Sequence, residues 1–144
     1  MYEGLICYFA YGSNMSPERM QKRCPGAVLL GPAKLPGFKV VERLYADIDY
    51  EPGEATNGIL WLLRRNHLKR LDKSEGCPKI YRKICLEVIY QKSRCLAIIY
   101  MMTEASKAER NDKPYPPEYR QLCSDAAKFH KISNAFRRKS KCKK

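Results

Sequence analysis

Glu75 is the last residue before Gly76 in the stretch LKRLDKSEG, residues 68–76. Gly76 stands where a left-handed helix cap belongs, so the spacing predicts a short helix from His67 to about Ser74, started by Asn66. The C-terminal end of a helix carries partial negative charge. A carboxylate placed there is electrostatically disfavoured, and shielding from water adds to the effect. Both influences raise its pKa. A carboxyl group tuned towards neutrality suits general acid–base catalysis. Taken alone, the stretch is read more readily as a surface glutamate at a frayed helix end.

A second candidate is YFAYGSNM, residues 8–15. An apolar run stops abruptly at Gly12, Ser13 and Asn14, with Tyr11 beside them. Glycine permits close backbone approach, and serine and asparagine offer short polar groups that bond nearby backbone. A strand that ends this way presents several N–H groups to whatever lies above it. The plainer alternative is an ordinary strand-to-helix connection.

A thiol nucleophile is the competing chemistry. Cys77 lies two positions after Glu75, Lys79 is near, and His67 is one helix away. A reactive thiol needs a positive surrounding and an oriented base. No orienting group stands out, so a packed, inert thiol is favoured. The chain has seven cysteines, no CxxC pair, and two histidines with no metal-ligand spacing to any of them. A disulfide framework and a zinc site are therefore not expected. Cys85 and Cys95 fall in apolar runs and are expected to be buried.

These residues need a scaffold. Leu5 to Ala10 reads as a short strand. Ser16, Pro17 and Glu18 carry N-cap, N1 and first-turn signals for a helix that Cys24-Pro25-Gly26 ends. The run AVLLGPAKLPGFKVVE alternates strand-like pieces with Gly-Pro and Pro-Gly breaks. ADID and GILWLL read as two strands separated by the turn YEPGEATN. YRKICLEVIYQ and RCLAIIYMM flank Lys92-Ser93 as a hairpin. Pro117 opens a last helix with Tyr119, Leu122, Cys123, Ala126 and Phe129 on one face. The expected fold class is α+β: a small mixed, mostly antiparallel β-barrel with short flanking helices. A barrel of that size holds one small ligand at its mouth.

The 144 residues suffice for one domain, expected over 1–135, and 44% of them are hydrophobic. The formal net charge is +13, much of it in the terminal run FRRKSKCKK, residues 136–144. Such a run is expected to be a solvated tail, with at most weak, salt-labile contact with nucleic acid. No apolar stretch is long enough to span a membrane, and Leu5 to Ala10 is too short for a signal-peptide core. The expected compartment is the cytoplasm.

Taken together, YFAYGSNM, LDKSEG and YPPEYRQLCSDAAKFHKI, with GPAKLPGFK and ADIDYEPGEATNGILWLL between them, resemble the γ-glutamylcyclotransferase family. The order and spacing of these stretches carry the likeness, over about residues 7–132. The segment FKVVERLYAD is shorter than the usual family stretch, and Glu75 stands closer to Tyr81 than in some relatives.

The resemblance implies an enzyme that releases 5-oxoproline from a γ-glutamyl amine or amino acid. The α-amine of the glutamyl group attacks its own γ-carbonyl. It implies Glu75 as the acid–base. The residues implied to surround the glutamyl group are Tyr8, Phe9, Ala10, Tyr11, Gly12, Ser13 and Asn14, with Tyr81 and Tyr119 lining the pocket. No metal or organic cofactor is implied. A homodimer is compatible with this family and not demanded by the sequence. The alternative is a non-catalytic basic binding module on the same fold, contacting RNA or an acidic partner. No RNP-like aromatic–glycine motif supports it.

Overall fold

The computed structural model describes residues 4–133. Ten elements follow in order. Strand β1 (Leu5–Ala10) leads through a single 3-10 turn (Ser13–Met15) to helix α1 (Pro17–Arg23). Strands β2 (Val28–Arg43) and β3 (Tyr45–Arg64) precede helix α2 (Arg65–Glu75). Strands β4 (Tyr81–Tyr90) and β5 (Ser93–Met102) precede helices α3 (Glu104–Arg110) and α4 (Pro117–His130). The expected domain end at residue 135 and the basic run 136–144 lie outside the described residues. Among the described residues, no helix is long and apolar enough to cross a membrane.

The strands close into a barrel in the order β1-β3-β2-β4-β5. All pairings are antiparallel except the seam, where β1 meets β5 in parallel with Tyr8 opposite Ile98. Side chains of a strand alternate between two faces. On β1 this sends Phe9 into a cluster with Leu35, Ile48, Leu60, Val88 and Ile99, drawn from all five strands. Tyr8 and Ala10 go to the opposite face. There they pack with Met15, Met20, Trp61, Leu71 and Ala126, where the helices cover the barrel.

Several expectations change in detail. The stretch 28–43 is one strand rather than broken pieces, because Gly31 and Gly37 absorb register shifts at positive φ of 132° and 82°. ADID and GILWLL are likewise parts of one strand. Pairing with β2 resumes at Pro36↔Ala55 after Phe38↔Tyr50, so residues 51–54 form a local excursion rather than a chain reversal. Helix α2 begins at Arg65 with Arg64 as its cap, not Asn66. His67 Nδ1 accepts the Arg64 N–H at 3.1 Å, while its Nε2 bonds the Pro25 carbonyl at 2.7 Å. The histidine thus anchors the helix start.

The hairpin turn is Gln91-Lys92, with φ of 49° and 67°, and Ser93 already belongs to β5. Phe129 is 66% exposed because α4 turns Cys123, Ala126 and Ala127 inward instead. Cys85 is exposed, since the alternation along β4 points it away from the core, and Cys95 is half-buried. Helix α3, not expected from the sequence, starts at Thr103, whose hydroxyl accepts the Ser106 N–H at 3.2 Å. Ser16 caps α1 through Arg19 N at 3.2 Å, as expected.

Candidate active site

Glu75 ends α2 at Gly76, which adopts φ 68° and ψ 37°. The N–H groups of Gly76 and Cys77 bond the carbonyls of Lys73 and Asp72 at 3.2 and 2.9 Å, which stops the helix at a defined place. The Glu75 side chain, 16% exposed, faces a cavity of about 270 Å³. Its Oε2 accepts from Asn14 Nδ2 at 3.1 Å and lies 3.4 Å from Arg23 Nη1. Burial raises its pKa, and Arg23, the Asn14 hydrogen bond and Arg19 oppose that rise without cancelling it.

The turn after β1 supplies the opposite wall. Asn14 is buried and every polar group of its side chain is used. Its amide nitrogen donates to Tyr8 Oη at 2.9 Å as well as to Glu75, and its Oδ1 accepts from Arg23 at 2.9 Å. Trp61 Nε1 donates to the Asn14 carbonyl at 3.1 Å, which pins the turn to β3. Gly12 lines the cavity at a point with no room for a side chain. A Cβ there would stand 2.8 Å from Tyr119 Oη and 2.9 Å from Ala46 Cβ.

Tyr81 and Tyr119 reach the cavity from β4 and α4 and grip the same residue. Tyr81 Oη donates to the Ala46 carbonyl at 2.6 Å, and the Ala46 N–H donates to Tyr119 Oη at 3.1 Å. Tyr11 Oη donates to the Tyr100 carbonyl at 2.5 Å. Burial raises the pKa of each of these phenols, so all three stay protonated at neutral pH. Next to Ala46, Asp47 is fully buried. It accepts from Arg43 Nη1 at 2.7 Å, Lys107 Nζ at 2.8 Å and the Met102 N–H at 2.8 Å.

Of the sequence-derived residues, Tyr8, Phe9, Tyr11, Gly12, Ser13, Asn14, Glu75, Tyr81 and Tyr119 all line this one cavity. Ala10 does not; it packs in the core beside Met15 and Trp61. Sequence reasoning missed Arg19, Arg23, Tyr45, Tyr100 and Arg110, which also line it. The four-residue spacing of Arg19 and Arg23 on α1 was a usable signal, since such residues share a helix face. Arg110 arrives through α3, for which no sequence signal had been read.

The arrangement does not favour the thiol alternative. Cys77 is outside the cavity lining, and burial together with Asp72 raises its pKa, keeping it protonated. Both ring nitrogens of His67 are committed to backbone groups. Among the described residues, no group of three or more His, Cys, Asp or Glu is placed to hold a metal ion.

The γ-glutamyl cyclotransferase, AIG2-like family profile matches residues 8–121. That span holds the turn, Glu75 and both tyrosines. The chain belongs to this family. It is 30% identical to a γ-glutamylcyclotransferase of Bos taurus, over 92% of this chain and 75% of the relative. Identity to the Homo sapiens γ-glutamylcyclotransferase is 28%, over 96% of this chain and 79% of the relative. A solved γ-glutamyl cyclotransferase structure superposes with a TM-score of 0.72 at 26% identity, covering 88% of this chain and 80% of the other. A human protein described as uncharacterized superposes with a TM-score of 0.78 at 28% identity, covering 89% and 81%. The barrel described above is thus the fold shared with that γ-glutamyl cyclotransferase structure.

Proposed function

We propose that the protein releases 5-oxoproline from γ-glutamyl compounds, with Glu75 as the group that moves the proton. The observation that carries this is the Glu75 carboxyl itself: held by Asn14 and Arg23 at the cavity wall, with a pKa raised by burial. Family membership and the named relatives support the reaction type.

In the proposed chemistry the neutral α-amine of the substrate attacks the γ-carbonyl carbon and a new C–N bond forms. Glu75, as carboxylate, takes the proton that the attacking nitrogen sheds. The tetrahedral oxyanion then collapses, the original C–N bond breaks, and the leaving nitrogen takes the proton back from Glu75. The products are 5-oxoproline and a free amine, and no water is consumed. Nucleophile and electrophile share one molecule, so the protein need only hold it folded. Well-oriented intramolecular reactions reach effective molarities of about 10⁵ M or more. Backbone N–H groups of the Gly12–Asn14 turn are assigned to the substrate's oxygens. Tyr8, Phe9, Tyr11, Tyr81 and Tyr119 are assigned to the walls around the glutamyl chain. Ala10 supports the wall from the core side. We place the reaction in the cytoplasm, on a small-molecule substrate and without a nucleic-acid partner.

The test is incubation with a panel of γ-glutamyl amines and amino acids, with 5-oxoproline measured by mass spectrometry. Release from at least one member is expected. Failure across amino-acid, polyamine and lysine conjugates would overturn the proposal.

A further inference from the structure

The charged residues that line the cavity are Arg19, Arg23, Arg110 and Glu75. Arg23 and Glu75 face each other at 3.4 Å, which leaves two guanidinium groups without a carboxylate inside the cavity. Arg19 makes no side-chain hydrogen bond and no ion pair among the described residues, and its Nε is buried without an acceptor. Arg110 reaches out of the cavity through Nη1, to Ser106 Oγ at 3.3 Å and to the 71% exposed Glu109 at 3.0 Å. Its Nε, too, is buried and has no acceptor.

Buried guanidinium nitrogens without partners are costly, and almost all buried donors in folded proteins are satisfied. The two Nε atoms are closed off from the cavity space, and the feature open to a ligand is the pair of arginines that line one cavity with no carboxylate paired to them there, an excess of positive charge that an anion balances. Guanidinium forks match carboxylates in shape as well as charge. We propose that Arg19 and Arg110 form a carboxylate-recognition subsite that determines which substrates the cavity accepts. This rests on the cyclotransferase function proposed above. Arg19 also opposes the rise in the Glu75 pKa, so the subsite is read in KM and in binding rather than in kcat. The carboxylate is either that of the leaving amino acid or the α-carboxylate of the glutamyl group, and the test separates the two.

Three substrates are compared: γ-glutamyl-alanine, γ-glutamyl-ethylamide, which lacks the leaving-group carboxylate, and γ-aminobutyryl-alanine, which lacks the glutamyl α-carboxylate. Loss of a charge-assisted contact weakens binding by about 10- to 100-fold. Arg19→Gln and Arg110→Gln are each expected to raise KM for γ-glutamyl-alanine by about that factor, with a much smaller change in kcat. The penalty should vanish on the substrate that already lacks the recognised carboxylate. Insensitivity on the ethylamide assigns the leaving group, and insensitivity on γ-aminobutyryl-alanine assigns the glutamyl end. The melting temperature of Arg19→Gln should hold or rise, because the lost guanidinium bonds nothing in the protein. Equal losses on all three substrates, unchanged KM values, or a large fall in melting temperature would overturn the subsite. Calorimetric binding of γ-glutamyl-alanine to the Glu75→Gln protein, with and without Arg19→Gln, separates this from the reaction itself. Arginine-dependent binding without turnover by the native chain would retire the cyclotransferase function and keep the subsite. Turnover with arginine-independent KM would do the reverse.

Discussion

Asn14 Nδ2 donates to Glu75 Oε2 across 3.1 Å, although the two residues stand 61 positions apart in the chain. The contact joins the turn after the first strand to the end of the second helix. Through the same side chain, Tyr8 and Arg23 are tied to the carboxylate. Asn14 thereby sets the direction in which Glu75 points and damps the rise in its pKa.

Asn14→Ala should therefore harm both fold and turnover. It strands the Tyr8 hydroxyl in a buried place and frees one Glu75 oxygen. Leaving buried groups unpaired costs about 1–3 kcal/mol, readable as a lower midpoint in urea. Turnover should fall by about 10-fold or more through misplacement of the carboxyl. Asn14→Asp tests the electrostatics instead. A second carboxylate beside Glu75 raises the Glu75 pKa further, so the acidic limb of the pH–rate profile should move to higher pH. An unmoved limb would show that Glu75 does not control it.

Glu75→Gln should separate activity from stability. Glutamine keeps the shape and cannot cycle a proton, so turnover should drop by about 10²-fold or more. Stability should move the other way. Burial raises the Glu75 pKa in the folded state, so the native chain binds more protons there than the unfolded chain does. Its stability then falls as pH rises from the unfolded carboxylate value, about 4.3, through the raised native value. Glutamine has no such loss. The variant's advantage in urea midpoint should be small at low pH and grow across that window. A variant less stable than the parent at neutral pH would contradict the sign.

The chemistry-bearing residues were legible where the signal is local. Glu75 beside a left-handed glycine, Ser16 before Pro17, and the apolar run into Gly12 are each decided by a few neighbouring residues. The long strands were not, because Pro and Gly in 28–43 and 51–54 read as breaks. Pairing between β2 and β3 overrides that preference, with the glycines taking up the register shifts. The three cavity arginines escaped notice for a related reason. An arginine in a sequence looks like solvated surface, and only the closure of the barrel shows that Arg19 and Arg110 turn inward.

Gly12 is the position where a single methyl group should be felt at the cavity. Its Cβ would meet Tyr119 Oη at 2.8 Å and Ala46 Cβ at 2.9 Å. Either Tyr119 gives up the Ala46 N–H or the turn shifts away from β3. Gly12→Ala should raise KM for a γ-glutamyl substrate by about 10-fold, the worth of one displaced polar contact, and Gly12→Val by more. An unchanged KM with a lowered melting temperature would make the turn purely structural.

Lys107 tests whether the buried acid behind the cavity holds the two tyrosines in place. Its ammonium bonds Asp47 at 2.8 Å, Asp49 at 2.8 Å and the Ile48 carbonyl at 2.9 Å. Asp47 precedes Ile48 and follows Ala46, the residue that Tyr81 and Tyr119 grip. Lys107→Met leaves Asp47 buried with one cation fewer, and breaking such a pair costs about 3–5 kcal/mol. Turnover should fall with the shift of Ala46, although Lys107 does not line the cavity. The acid dependence carries a further sign. Burial alone would raise the Asp49 carboxyl, but hydrogen bonds and charge from Arg43 and Lys107 outweigh it and hold the pKa at about 2. A depressed carboxylate contributes stability above its unfolded value, about 3.9, and loses it as pH falls towards about 2. With Lys107 gone, less of that contribution exists to be lost. Between about pH 4 and 2, the urea midpoint of Lys107→Met should therefore decline less steeply than that of the parent. An equally steep decline would mean that Arg43 alone sets the Asp49 pKa.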